Sequence, residues 1–162
     1  MISNCNFEQL DSGEIDSGGP VEFTDWDYHS NVSEAYVQQV SDSPVPGSAS
    51  AKMIVRDVSD GIEQWFMVQP STDYIAYGYY KTSEGNDANI SVSDGLGWEV
   101  NLRMAPAVDW RWYELAFTTP SSIGSAGIKI NLGVWPADLW SPVSFNDVHV
   151  KLAPPRRTGG RH

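Results

Sequence analysis

QWFMVQPSTDYIAYGYYK, residues 64–81, is the stretch whose reading decides the fold. In its second half Tyr74, Ala76, Gly78 and Tyr80 alternate with Ile75, Tyr77, Tyr79 and Lys81. That is the two-residue period of a strand, not the longer period of a helix. The first half, QWFMV, halts at Pro70, which lacks the N–H that a sheet ladder needs. Two strands joined by a short turn are predicted.

The same pattern recurs outward on both sides. Strands are predicted at 51–58 (AKMIVRDV), 90–92, 98–104 (WEVNLRM), 113–118 (YELAFT), 128–134 (IKINLGV) and 143–152 (VSFNDVHVKL), with earlier ones at 3–8 and 34–40. Clusters of Gly, Pro, Ser, Asn and Asp separate them, and no long amphipathic helical pattern occurs. The expected total of about nine or ten strands suits an all-β jelly-roll sandwich of two antiparallel sheets. The sequence shows no internal repeat and no boundary before the tail. One domain is expected over 1–152, with 153–162, ending in PPRRTGGRH, as a linker.

Composition narrows the partner. Ten Lys plus Arg against 21 Asp plus Glu give a net charge of −11, and no basic stripe exists for nucleic acid. No apolar run is long enough to cross a membrane. The lone Cys5 excludes a disulfide framework and reads as a small buried residue of the first strand. Seven Trp and seven Tyr exceed what the core of such a chain needs. Their apolar faces and polar handles suit recognition of a neutral, hydroxyl-rich ligand, although about half are expected in the core. His29, His149 and His162 are scattered, and no nucleophile elbow, zinc-protease pair or phosphate loop is present.

Five segments, in order, then resemble the carbohydrate-binding modules of families 4, 9, 16 and 22. NCNFEQL (4–10) looks like their Asn-Gly-x-Phe-Glu opening, and GSASAKMIV (47–55) like their Gly-Ser-x-Ala-Leu-Lys-Val strand. QWFMVQPSTDYIAYGYYK resembles their Gln-x-Val-x-Val-x-Pro-Gly-x-x-Tyr-x-Leu stretch, DWRWYELAFTTP (109–120) their Trp-x-x-Tyr-x-x-x-Phe-Thr strand, and VSFNDVHVKL their closing Tyr-x-Asp-Asp-Val. Ser71 stands where the family has Gly, and Asn146 where it has the first Asp. The resemblance covers residues 3 to 152 and implies a galactose-binding-domain-like jelly roll.

It also implies a structural calcium ion joining the first strand to the last. The matching ligands are the carboxylates of Glu8 and Asp147 and the backbone carbonyls of Asn6 and Lys52, with Ser48 or Ser50 where the family has a further glutamate. The alternative leaves Glu8 and Asp147 on solvated strand ends. The acidic stretch DSGEIDSGG (11–19) lacks the EF-hand spacing and reads as a solvated loop.

The resemblance makes Tyr74, Ala76, Gly78 and Tyr80 the core set, which turns Tyr77 and Tyr79 outward. By alternation Glu99, Asn101 and Arg103 face away from Trp98, Val100, Leu102 and Met104, and Lys129, Asn131 and Gly133 away from Ile128, Ile130, Leu132 and Val134. Tyr77, Tyr79, Asn101, Arg103 and Asn131 are expected to line one groove across three strands. Trp65, out of phase with Gln64, Phe66 and Val68, is expected to join them, as are Trp98 after the DGLG turn and Trp135 at a strand end. Each of the three has a core or edge-covering role as its alternative. Trp26, Trp110 and Trp112 are expected mainly as core or edge-covering residues.

The function expected is non-catalytic binding of a β-linked glucan or xylan, which targets a covalently attached catalytic domain of a multimodular polysaccharide-degrading enzyme. The alternatives are a small lyase or glycosidase, drawing on Glu63, Glu99, Asp94 and Asp109, and an adhesion sandwich. The protein is expected to be a monomer and secreted. Met1 reads as a cut point in a longer chain, and the sequons at Asn31 and Asn89 fit secretion.

Overall fold

Strands rich in β-branched and aromatic residues, punctuated by glycine and proline, form two stacked antiparallel sheets in a computed structural model of the chain. The structure describes residues 2–8, 23, 25–29, 36–44, 49–55, 61–82, 86–135 and 141–155. Ten strands follow one another: β1 (Asp27–His29), β2 (Tyr36–Val40), β3 (Ser50–Val55), β4 (Gly61–Phe66), β5 (Asp73–Thr82), β6 (Ala88–Ser93), β7 (Glu99–Met104), β8 (Arg111–Thr118), β9 (Ile128–Val134) and β10 (Ser141–Leu152). The first sheet runs β1-β4-β9-β6-β7 and the second β2-β3-β10-β5-β8, five strands each. The all-β sandwich is the architecture that the alternation predicts.

The inner faces meet in an aliphatic layer. Ile90, Val92, Ile128, Ile130, Leu132 and Val134 of the first sheet are fully buried, as are Ala51, Met53, Ala76, Val143 and Phe145 of the second. At one end Phe7, Phe23 and Trp26 close the sandwich, with the Phe7 ring 5.2 Å from Phe23 and 5.3 Å from Trp26. Tyr80 points inward as expected, and its hydroxyl donates to the Ala105 carbonyl at 2.8 Å. A buried phenol usually finds such a partner, and this one does.

Several expectations are corrected. Residues 3–8 form a turn rather than a strand, closed by the Phe7 N–H donating to the Asn4 carbonyl at 3.1 Å. Their backbone groups go to side chains and to β10 instead of to a ladder. Cys5 is accordingly half-buried in that turn, with its thiol donating to the Ile2 carbonyl at 3.0 Å. β1 is a strand that the periodicity does not reveal, because it has only three residues. Ser71, the position where the resembled modules have Gly, has a positive φ of 48°, and its N–H donates to the Pro120 carbonyl at 2.9 Å. The buried Asn89, 1 % exposed, is no glycosylation acceptor in the folded chain. Asn31, the stretch 11–19 and the tail from 156 onward lie outside the described residues.

Neighbouring tyrosines on β5 test this register. Tyr80→Ala should lower stability by about 3 kcal/mol or more through a core cavity, whereas Tyr79→Ala should cost about 1 kcal/mol or less, as an outward position. Urea unfolding midpoints of the two variants compare them directly. The reverse ranking would put the strand one residue out of register.

Candidate functional site

The pairing registers convert sequence alternation into two separate outer faces. On the first sheet the outward side chains line up in rows across the strands. One row is Trp65, Lys129, Ser93 and Glu99; the next is Asp27, Glu63, Asn131, Ser91 and Asn101; the third passes through Gly61, Gly133, Asn89 and Arg103. The middle of this face is built from serine, asparagine and glycine, so its floor is low. Large side chains stand at its margins. Trp65, 39 % exposed, rises at one end and Arg103 at the other, where its guanidinium lies 4.8 Å from the Trp135 ring centroid. Four residues separate the Trp65 and Gly61 rows, roughly 13 Å along the strands, and the five strands span roughly 19 Å across. The result is a polar trough between two tryptophans.

Local contacts hold the walls. The Lys129 ammonium lies 5.7 Å from the Trp65 ring centroid and pairs with Glu63 at 3.2 Å. Arg103 pairs with Asp87, whose carbonyl accepts from the Trp135 N–H at 3.0 Å. The turn 94–97 abuts Trp65: a Cβ on Gly95, which has φ +74°, would lie 3.3 Å from the indole. Asp94 Oδ1 ties that turn by accepting from the N–H groups of Leu96 at 2.8 Å and Trp98 at 3.1 Å. Asn89 faces outward yet is buried, and its Oδ1 accepts no hydrogen bond among the described residues.

This arrangement divides the expected groove. Trp65, Glu99, Asn101, Arg103, Asn131 and Trp135 are gathered on or beside the first sheet's outer face, with Asn131 only 8 % exposed. Tyr77 and Tyr79 lie on β5 of the second sheet, so their outward side chains are on the opposite surface of the sandwich. Alternation alone says which side chains share a strand face; it does not say which strands share a sheet. Trp98 is turned from the groove's lip and half-buried, with its ring 6.1 Å from Phe117. Trp112, expected as a core or edge-covering residue, lies on edge strand β8 and is 44 % exposed. The alternation of Tyr113, Leu115 and Phe117 with Trp112, Glu114 and Ala116 carried that signal. Trp140 lies outside the described residues. Ser91, in the middle row, comes from a strand whose outward face the sequence reading left unassigned.

Among the acids named for hydrolysis, Glu63 and Glu99 sit three strand spacings apart, roughly 14 Å. Glycosidases need their pair within about 5–10 Å. Asp94 is occupied by its turn, and Asp109 is exposed just before β8 of the other sheet.

A second feature lies where the N-terminal turn crosses β10. The Val148 N–H donates to the Cys5 carbonyl at 3.2 Å, which makes Asn6 and Asp147 neighbours across the seam. The carbonyls of Ile2, Ser3, Asn4, Cys5, Phe7 and Glu8 all accept hydrogen bonds; among the described residues that of Asn6 accepts none. Asn4, Phe7 and Asp147 are three of the five non-glycine residues with positive φ among the described residues, so backbone strain concentrates here. Asp147 Oδ1 meets His149 Nε2 at 2.6 Å, and its other oxygen accepts no hydrogen bond among the described residues. Hydrogen bonding with Cys5, followed by the Asp147 carboxylate, holds the His149 imidazole up at about 9, against burial that lowers it. No three His, Cys, Asp or Glu side chains among the described residues are arranged to hold a metal. The seam offers instead carboxylate and carbonyl oxygens, the donor set of a hard cation. Lys52 pairs with Gln38 and Ser144 within β3, three residues before Asp147 along β10, or roughly 10 Å. Its side chain lines a separate cavity of about 440 Å³ with Asp42, Lys81 and Val108.

Solved structures with the same architecture can now be compared. A family 4 carbohydrate-binding module superposes with a TM-score of 0.65 at 16% identity, covering 94% of this chain and 100% of that one. The fold is that of such modules. A family 61 module in complex with β-1,4-galactotriose gives 0.61 at 17% identity, over 94% of this chain and 97% of that one. A Stig cyclase from Fischerella sp. TAU gives 0.67 at 16% identity, over 95% and 96%. No protein-family model and no curated protein matches the sequence.

Asp94→Ala should remove both turn hydrogen bonds and lower stability by about 1–2 kcal/mol, read by urea unfolding. Unchanged stability would mean that the turn beside Trp65 is held by other contacts.

Proposed function

We propose that the chain is a non-catalytic module that binds a neutral β-linked polysaccharide, a glucan or xylan, in the trough on the first sheet. The observation that carries this reading is the cross-strand row of Glu63, Asn131, Ser91 and Asn101 lying between the indoles of Trp65 and Trp135. Amide, hydroxyl and carboxylate groups can hydrogen-bond sugar hydroxyls, while an indole presents a flat apolar surface to a sugar ring. The charged groups at the margins are tied in pairs, Lys129 with Glu63 and Arg103 with Asp87, which suits binding better than proton transfer. The acidic surface disfavours a polyanion. In this reading the module is extracellular and holds an attached catalytic domain on its substrate. Trp65→Ala should weaken binding of soluble xylan or mixed-linkage β-glucan by about 1–3 kcal/mol, the scale of one aromatic stacking contact, without moving the melting temperature. Isothermal titration and a thermal melt measure both. Affinity equal to wild type would remove the trough from the proposal.

The seam is proposed to hold a structural calcium ion, with Asn6 supplying a carbonyl and Glu8 and Asp147 carboxylates. The Asn6 carbonyl beside Asp147, which accepts no hydrogen bond among the described residues, supports this. The ion would pin the N-terminal turn to β10 and take no part in sugar contact. Chelation should lower the melting temperature by several degrees through mass-action linkage and leave polysaccharide affinity unchanged below the transition. Identical melting with and without chelator would remove the ion.

A further inference from the structure

The second sheet's outer face carries a ring array that the trough does not use. Trp112 and Glu114 project from β8, Tyr77 and Tyr79 from β5, and His149 and Lys151 from β10. The rings touch in series. His149 stacks on Tyr77 at 5.2 Å, Tyr77 lies 5.3 Å from Trp112, and Tyr79 meets Trp112 edge-on at 5.1 Å. The Lys151 ammonium sits 4.9 Å from the Tyr77 centroid. Tyr77 is therefore packed between neighbours and acts as a brace. Trp112 is the surface it braces: 44 % exposed, with its Nε1 donating to Glu114 Oε1 at 3.1 Å.

An indole this exposed, near the start of edge strand β8, forgoes burial, yet three contacts fix its plane. A residue merely left in solvent needs no such bracing. The charged side chains beside the rings are of both signs, Glu114 against Lys151. Such a patch has no net attraction for a charged polymer or an anionic membrane. It suits a neutral, polyhydroxylated ligand with a flat apolar side.

We propose that this face is a second saccharide-binding surface with Trp112 as its stacking platform. The two sheets are stacked about 10 Å apart, so the surfaces point in opposite directions and one segment of chain cannot occupy both. The molecule would bridge two polysaccharide chains. This inference shares with the proposed function only its ligand class and rests on different residues.

The test is titration of W65A, W112A and the double variant with xylohexaose, soluble xylan and mixed-linkage β-glucan, with thermal melts as folding controls. Wild type should bind two equivalents of oligosaccharide, each single variant one, and the double variant none. W112F keeps a ring against Tyr77 and Tyr79. If W112A melts early, W112F should still lower second-surface affinity by roughly tenfold, within the range of one stacking contact. Loss of all binding in W65A, with W112A and W112F equal to wild type, overturns the second surface and leaves the trough standing. Loss of all binding in W112A with W65A unaffected overturns the trough and leaves this surface as the site. No binding by wild type overturns both. A dimer that W112A dissolves without change in saccharide binding assigns the face to a second copy and overturns the inference.

Discussion

A strand can send only alternate side chains to one side, and in this chain the inward positions of both sheets are filled by residues such as Ile128, Ile130, Leu132, Met53, Val143 and Phe145. Burying that layer is the main favourable term, and it leaves the outward positions free to vary. Each exposed feature discussed above is a consequence of this division. The trough exists because β4, β9, β6 and β7 are adjacent and their outward residues fall into register. The ring array exists because β10, β5 and β8 are adjacent on the other side.

The two faces solve different problems with different materials. The first has a floor of small polar residues, with Ser91 and Ser93 set between the tryptophan walls. Its charges are paired laterally, which fixes long side chains that would otherwise sweep across the floor. The second carries the cavity lined by Asp42, Lys52, Lys81 and Val108, apart from the ring array. Its rings brace one another, and the exposed indole is held by its neighbours rather than by depth.

The N-terminal turn is fastened to the sandwich by hydrogen bonds to side chains and to the bulged part of β10, where pairing with β5 shifts register between Asn146 and His149. A bulge leaves backbone groups outside the ladder and allows Asp147 its positive φ of 55°. Gln39 donates to both the Phe7 and Glu8 carbonyls, and Gln64 exchanges hydrogen bonds with Ser3, so both sheets hold the turn. A strand in this position would have consumed those carbonyls. In the turn, that of Asn6 accepts no hydrogen bond among the described residues.

Much of the fold was legible because strand periodicity is local: which residues of 74–81 or 128–134 face inward depends only on their alternation and on burial. The same reasoning placed Asn101, Arg103, Asn131 and Trp65 outward, and could have done so for Trp112. What it could not supply is adjacency. Tyr79 and Asn131 both face outward, yet a whole sandwich lies between them, because strand order is decided by long-range pairing that side-chain period does not encode. Three-residue β1 and the turn at 3–8 escaped for a related reason: short segments carry too few alternations to declare a period. The sequence by itself determined an acidic, all-β chain with surplus aromatics and a defined inward set. Only the tertiary structure decided which outward residues meet, since pairing between distant strands, not local propensity, brings them to one surface.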